Sequence, residues 1–384
     1  MKRRRRKIHL PHKKVEFTEL FFDLVFVYAL SKSTNLIHHL EGGVISLGSF
    51  LTFLWAMIIL INTWIHQTLF TNRYGQNSLK NLFIMLINMG ILLLISNSFT
   101  TDWESNFVPF SLMVGTLSIS LFIQYFLEYR HADKANQEVI TVFLKTLGLR
   151  IVFVFVGVLL PYEIGINIYS IGMIISIIFP LFYRKQAAAV PVNFPHLVER
   201  LSLIVIIALG EMIISGAAPF MTKEHLSWSA ILNFAIIGMI FLYYFGEMDL
   251  AVDESRETLG MKMVYLHYPI IMSIGLITVS LSFLAEKAAN PYFVFVLFYL
   301  GLASFYGSML CLGHYNKPHL QFSSAYVLKS VLIFLTSAGI SLWFIHDSLI
   351  VLLSVFLMGL ALVQLFMTFY QSQEKRNKML SLEK

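Results

Sequence analysis

The chain has 384 residues, 57% of them hydrophobic and only 13% charged, with a mean hydropathy of +0.72 and a formal net charge of +6. A soluble domain carries about 25% charged residues, so this sequence has too little polar surface to coat a water-exposed globule. A nucleic-acid-binding reading of its basic excess is excluded with it, and the single cysteine, Cys311, excludes internal disulfides and thiolate metal clusters.

Crossing the hydrocarbon takes roughly 20 apolar residues, which divides the chain into about twelve spans. Apolar runs fall at 18–38, 46–69, 80–99, 107–128, 141–160, 164–183, 197–219, 228–246, 262–283, 292–313, 326–345 and 349–370. Gly42 and Gly43 precede the second run, and Pro161 and Pro180 end or kink the fifth and sixth. No long hydrophilic stretch separates them. The expectation is an all-α polytopic transmembrane bundle forming a single integral membrane domain over 1–384, with basic tails at 1–14 and 373–384.

Orientation follows from the Lys and Arg of the short loops. With the basic N-terminal tail inside and the spans alternating, 21 Lys and Arg fall on the inner side and only Lys223 and Lys287 outside. An even span count with both termini cytoplasmic follows. The first run contains Glu19 and Asp23 and lacks a small-residue cleavage pattern, so it reads as an uncleaved span. The tail also suits contact with anionic lipid. Pro11-His12 with Glu16 opens the first span, and Pro195-His196 with Glu199 opens the seventh. This echo points to half-repeats at 15–185 and 196–372, as in several transporter folds. Coincidence is the competing reading of so short a match.

Ionisable side chains inside spans cost roughly 2.5–3.5 kcal/mol each at the bilayer centre and usually line a cavity or pair with one another. Glu16, Glu19 and Asp23 recur at helical spacing and share one stripe. That stripe suits a proton or cation site, or a structural ion pair with Arg or Lys of another span. In the seventh run His196, Arg200 and Glu211 share a face, Glu199 lies near the cytoplasmic end, and Glu211 is placed deeper. Arg150 in the fifth run cannot shed its charge, and Asp23 and Glu211 are its candidate partners. His267 in the ninth is read either as a proton relay or as a satisfied buried histidine. Asn62, His66, Asn88, Gln124 and Asn233 add polar points. There is no phosphate-binding glycine loop, His-Glu-x-x-His or Gly-x-Ser-x-Gly, and no feature calls for a cofactor, haem or bound metal.

The run from Val15 to Tyr28, with acidic residues set among aromatic ones, resembles the opening signature of the bacterial low-temperature-requirement A membrane protein family. Thr68–Tyr74, His196–Arg200 with Leu209–Glu211, and Leu266–Pro269 are similar to further stretches of it. Met212 stands where that family pattern leads one to expect serine. The resemblance implies membrane location and, by the family's name, a requirement for growth in the cold. It implies no substrate.

The leading expectation is a secondary transporter or permease for a small solute or ion, with Glu19, Asp23, Arg150, Glu199, Arg200, Glu211 and His267 along its pathway. The alternatives are an intramembrane enzyme acting on lipid-linked substrates and a non-catalytic membrane factor for cold adaptation. The topology is testable in a Cys311→Ser background. Leu10→Cys and Leu380→Cys are expected to react with a membrane-impermeant maleimide only after cell lysis, and Lys223→Cys in intact cells; the reverse pattern inverts the orientation.

Overall fold

The computed structural model describes residues 13–382 apart from 77, 101, 189, 218–220, 223, 224, 227 and 287. Among the described residues the chain is a succession of helices: α1 (Phe17–Thr34), α2 (Leu47–Tyr74), α3 (Leu79–Asn97), α4 (Trp103–Tyr129), α5 (Lys134–Val158), α6 (Tyr162–Phe182), α7 (Arg184–Ala187), α8 (Phe194–Ala217), α9 (Trp228–Phe245), α10 (Met261–Phe283), α11 (Pro291–Leu312), α12 (Ser324–Trp343) and α13 (Ser348–Leu382). A two-residue antiparallel pair, Met221–Thr222 with His225–Leu226, lies between α8 and α9.

Among the described residues, eleven helical segments are long and apolar enough to cross a membrane. The seventh expected span falls on α8, whose 24 residues reach about 36 Å at 1.5 Å per residue. Its length suffices to cross as well. Polarity is inverted relative to a soluble protein. On α1 the exposed side chains include Phe17, Phe21 and Leu24, whereas Glu19 and Asp23 are buried. This is what a lipid solvent selects, because charge must face inward there. The chain is therefore an all-helical, multi-pass membrane protein.

Every backbone polar group in such a setting needs an internal partner, and the helix starts show how the sequence supplies them. The side chains of Ser46, Ser78, Asp102, Asp133, Asn290 and Ser323 accept hydrogen bonds from the first turns of α2, α3, α4, α5, α11 and α12. Gly42 and Gly43 take left-handed φ of 62° and 86°, and the Asn290 amide donates to the Gly43 carbonyl at 2.8 Å. Several helices outrun their apolar runs: α2 continues to Tyr74, α5 begins at Lys134 and α13 continues to Leu382. The apolar run marks only the hydrocarbon, and the helical hydrogen bonds continue into the polar zone. Pro161 lies in the turn between α5 and α6, and Pro180 in the last turn of α6.

Helix α1 packs on α2 and α3, as α8 packs on α9 and α10; α13 joins α9 and α12. Helices α2 and α10 are the most enclosed of the candidate spans, with 67% and 72% of their most apolar windows buried, and so form the centre. Helices α5 and α6 meet backbone to backbone: a Cβ on Gly157 would lie 2.8 Å from the Gly165 carbonyl oxygen. Close approach over small residues replaces the hydrophobic drive that is missing in lipid. Gly157→Ala is therefore expected to cost about 1–3 kcal/mol, read as a lowered melting temperature in nanodiscs. Gly90→Ala, where a Cβ meets nothing within 4 Å, is expected to leave the melting temperature unchanged or raised.

Candidate functional site

Helix α1 begins with a capping box: the Glu16 side chain accepts from the third-turn-position amide, and Glu19 Oε2 accepts the Glu16 amide at 3.0 Å. That fixes Glu19 at the positive end of the helix dipole and puts Asp23 one turn further on the same face. Opposite them stand His196 and Arg200, also one turn apart, on α8. His196 Nε2 lies 3.3 Å from Glu19 Oε2. Arg200 Nη1 and Nη2 donate to Asp23 Oδ2 and Oδ1 at 2.6 and 2.9 Å, a two-pronged fork. Because Glu19 pairs with His196 and Asp23 with Arg200, the two helices run in the same direction. All four side chains are at most 2% exposed.

Helix α2 closes the site with residues at i, i+4 and i+8. The Trp64 indole N–H donates to Asp23 Oδ1 at 2.8 Å, and its ring lies 5.3 Å from the Arg200 guanidinium. Arg200 Nη2 also reaches Thr68 Oγ1 at 3.5 Å. Asn72 Nδ2 lies 3.0 Å from His196 Nδ1, so that ring nitrogen accepts and Nε2 carries the proton toward Glu19. Asn72 also exchanges hydrogen bonds with the Asn193 main chain at 2.9 and 3.0 Å, fixing the start of α8. At the rim, the Lys13 ammonium donates to the carbonyls of Thr71 and Gly75 at the end of α2. Burial lowers the Lys13 pKa, against the pull of Glu19 and Glu16. A small cleft lined by Lys13, Glu16, Glu19, Gln67 and Gln124 adjoins the cluster.

With His196 neutral, the two carboxylates and one guanidinium sum to one negative charge, and a single added proton brings the four side chains to neutrality. Glu19 Oε1 and Arg200 Nε face each other at 3.8 Å, and neither makes a hydrogen bond. The Asp23 end is tightly closed and the Glu19 end is loose.

The remaining expected residues lie elsewhere. Arg150 does not meet Asp23 or Glu211: Asp23 is taken by Arg200, and Arg150 Nη2 donates to Thr63 Oγ1 at 3.2 Å. Glu211 lies six residues before the C-terminal end of α8, away from the cluster; it is half-buried and accepts from Ser215 Oγ at 2.8 Å. It lies within electrostatic reach of His38, at the opposite end of α8 from His196. Glu199 is half-buried and, one residue from Arg200, points about 100° away from the Asp23 side. His267 has both ring nitrogens engaged, with Met263 O at 2.7 Å and Tyr244 Oη at 2.8 Å. It is a satisfied buried histidine tying α10 to α9.

Sequence reading missed Trp64, and it singled out Thr68 and Asn72 only as part of the stretch Thr68–Tyr74 that carries the resemblance, without a role; the four-residue spacing of the three was the available signal. It also placed Arg73 in a loop, whereas the residue sits in the last turn of α2. Glu247 was passed over because a π-helical segment, Gly246–Ala251, carries it just beyond the apolar run of α9, where it is fully buried.

Residues 14–364 match the family described as Bacterial low temperature requirement A protein (LtrA). An uncharacterized protein of Rhizobium meliloti (strain 1021) is 26% identical over 307 residues, covering 75% of this chain and 73% of the relative.

Removing one member of a buried ion pair strands the other, at a cost of roughly 3–5 kcal/mol, whereas replacing both with apolar residues is often neutral. Asp23→Leu is therefore expected to lower the melting temperature sharply in nanodiscs, and the double variant Asp23→Leu/Arg200→Met to recover most of the loss. Equal destabilisation by the single and double variants would remove the pair from the stability argument.

Proposed function

Given that the chain belongs to the bacterial low-temperature-requirement A family, we propose that it is a proton- or cation-linked secondary transporter of the bacterial cell membrane, with both termini cytoplasmic. The observation that carries the reading is the buried cluster of Glu19, Asp23, His196 and Arg200, in which two carboxyl groups face one guanidinium and one imidazole. Its members come from α1 and α8, the first helices of the two expected halves. Transporters of this type alternate access by rocking one repeat against the other around a fixed site. A charge pair spanning the halves is the natural interlock, and protonating a carboxylate removes the attraction that holds it shut. The similar packing of α1 on α2 and α3 and of α8 on α9 and α10 supports the two-half reading. The enclosure of Asp23 and Arg200 favours an interlock over a lipid-facing catalytic centre, which would need carboxylates open to headgroups. The family's description also motivates a role in growth at low temperature.

The test is uptake across a broad panel of metabolites and ions in sealed vesicles, with and without a proton gradient, at matched expression. Wild type is expected to show a gradient-dependent flux that Asp23→Asn abolishes and Asp23→Glu partly retains. The same ranking is expected for growth of a deletion strain in the cold. A flux indifferent to Asp23→Asn overturns the coupling role. Absence of any flux, together with altered membrane lipids in the deletion strain, replaces transport with lipid chemistry.

A further inference from the structure

A second site lies on the other face of α2. Asn62, His66, Leu69 and Arg73 follow one another along that face and line a cavity closed by α5, α6, α7 and the start of α10. Its empty volume is about 630 Å³, open space at the mouth included. Most of the lining is apolar, and among the described residues no carboxylate lines it. The mouth is marked by Arg73, Ala187 and Met261, at helix ends that share one side of the bundle. His66 lies two turns further in, about 10 Å along the helix.

The cations around this cavity lack counter-charges. Arg150 is 0% exposed, with Nε and Nη1 making no hydrogen bond, and it lies within electrostatic reach of His66 and Tyr268, both of which line the cavity. Arg73 Nε and Nη1 are likewise buried without partners. The Ser176 main chain lies within hydrogen-bonding reach of the His66 ring, and no side chain bonds to either ring nitrogen. Among the described residues no carboxylate lies within 4.0 Å of either guanidinium. Phe143 holds the arrangement, with its ring 5.7 Å from the Arg73 guanidinium and edge-on to His66 at 6.2 Å. An arginine cannot escape burial by deprotonation, and a buried cation without an anion is costly.

We propose that this cavity binds an amphipathic anion, with a phosphate or carboxylate head held by Arg73, the polar groups of His66 and the field of Arg150 lying further along the same lining, and an apolar tail against Leu69, Val142 and Val264. The site stands whether or not the protein transports, because it rests on a different face of α2 from the interlock. Two sources share this chemistry: an anionic phospholipid of the leaflet and a soluble organic anion.

The full chain in zwitterionic-lipid nanodiscs is titrated calorimetrically with hexyl phosphate, hexanoate, hexanol and hexyltrimethylammonium. The two anions are expected to bind, and the alcohol and the ammonium ion not. Arg73→Gln, at the mouth and away from the interlock, is expected to weaken anion binding by about tenfold or more, the loss of a charge-assisted hydrogen bond; His66→Gln is expected to weaken it less. Melting temperatures of both variants near that of wild type separate lost binding from lost folding. Native mass spectrometry assigns the source: a retained anionic phospholipid that hexyl phosphate displaces identifies the leaflet, and an empty protein that takes up the soluble anions identifies the aqueous phase. Hexanol binding as tightly as hexanoate, or folded Arg73→Gln and His66→Gln both binding anions as wild type does, overturns the proposal and leaves the cations with a structural role only.

Discussion

The pairing of Asp23 with Arg200 is the constraint around which the rest is arranged. Two charges withdrawn from water demand a geometry that returns most of their lost solvation, and each neighbouring element contributes to it. The fork of Arg200 takes both carboxylate oxygens, and the Trp64 indole supplies a further donor and an aromatic face. Glu19 is held by its capping box and by His196, which is held in turn by Asn72. Because the pairs step together along α1 and α8, they also settle the relative direction of those helices, and with it the sense in which the intervening segments cross.

That demand explains the composition of α2. A central helix in a membrane bundle would ordinarily be small and apolar at its contacts, yet α2 presents polar groups on several sides. Trp64, Thr68 and Asn72 serve the ion pair; Gln67 bonds with Gln124 and Asn88 toward α4 and α3; Asn62 donates to Ser176 on α6. These contacts fix rotation and register where dispersion alone would permit sliding. Outer helix α12 is tied in a similar way, through Tyr299 to Ser337 and Ser341 and through Ser337 to Ser354, whereas α5 and α6 meet through glycine-lined contact.

Much of this was legible in the sequence. Apolar runs located the helices, the spacing of Glu16, Glu19 and Asp23 placed them on one stripe, and His196 and Arg200 fell on one face of the seventh run. What periodicity cannot carry is the offset between two helices, since each knows only its own turn. Asp23 and Glu211 were thus candidate partners of Arg150 on charge alone, while the shape of the bundle gave Asp23 to Arg200. Glu211 shares a face with Arg200 in the seventh run, yet it lies toward the other end of α8, which spans Phe194–Ala217. Arg73 looked like a loop cation because the apolar run stops before it, although the helix does not. Glu247 depended on a widened turn whose extra residue leaves no mark in the sequence pattern.

One helix carrying the contacts to Asp23 and Arg200 on one face and lining the arginine-flanked cavity with another gives the two a common mechanical coordinate. A tilt or rotation of α2 that loosens Trp64 and Thr68 from the Asp23–Arg200 fork also carries His66 and Arg73 relative to Phe143. Thermodynamic reciprocity makes any effect of cavity occupancy on protonation of the cluster equal to the effect of protonation on occupancy. Helix α2 is in this sense a lever with a load on each arm, and the polar residues distributed around it are what keep both arms attached.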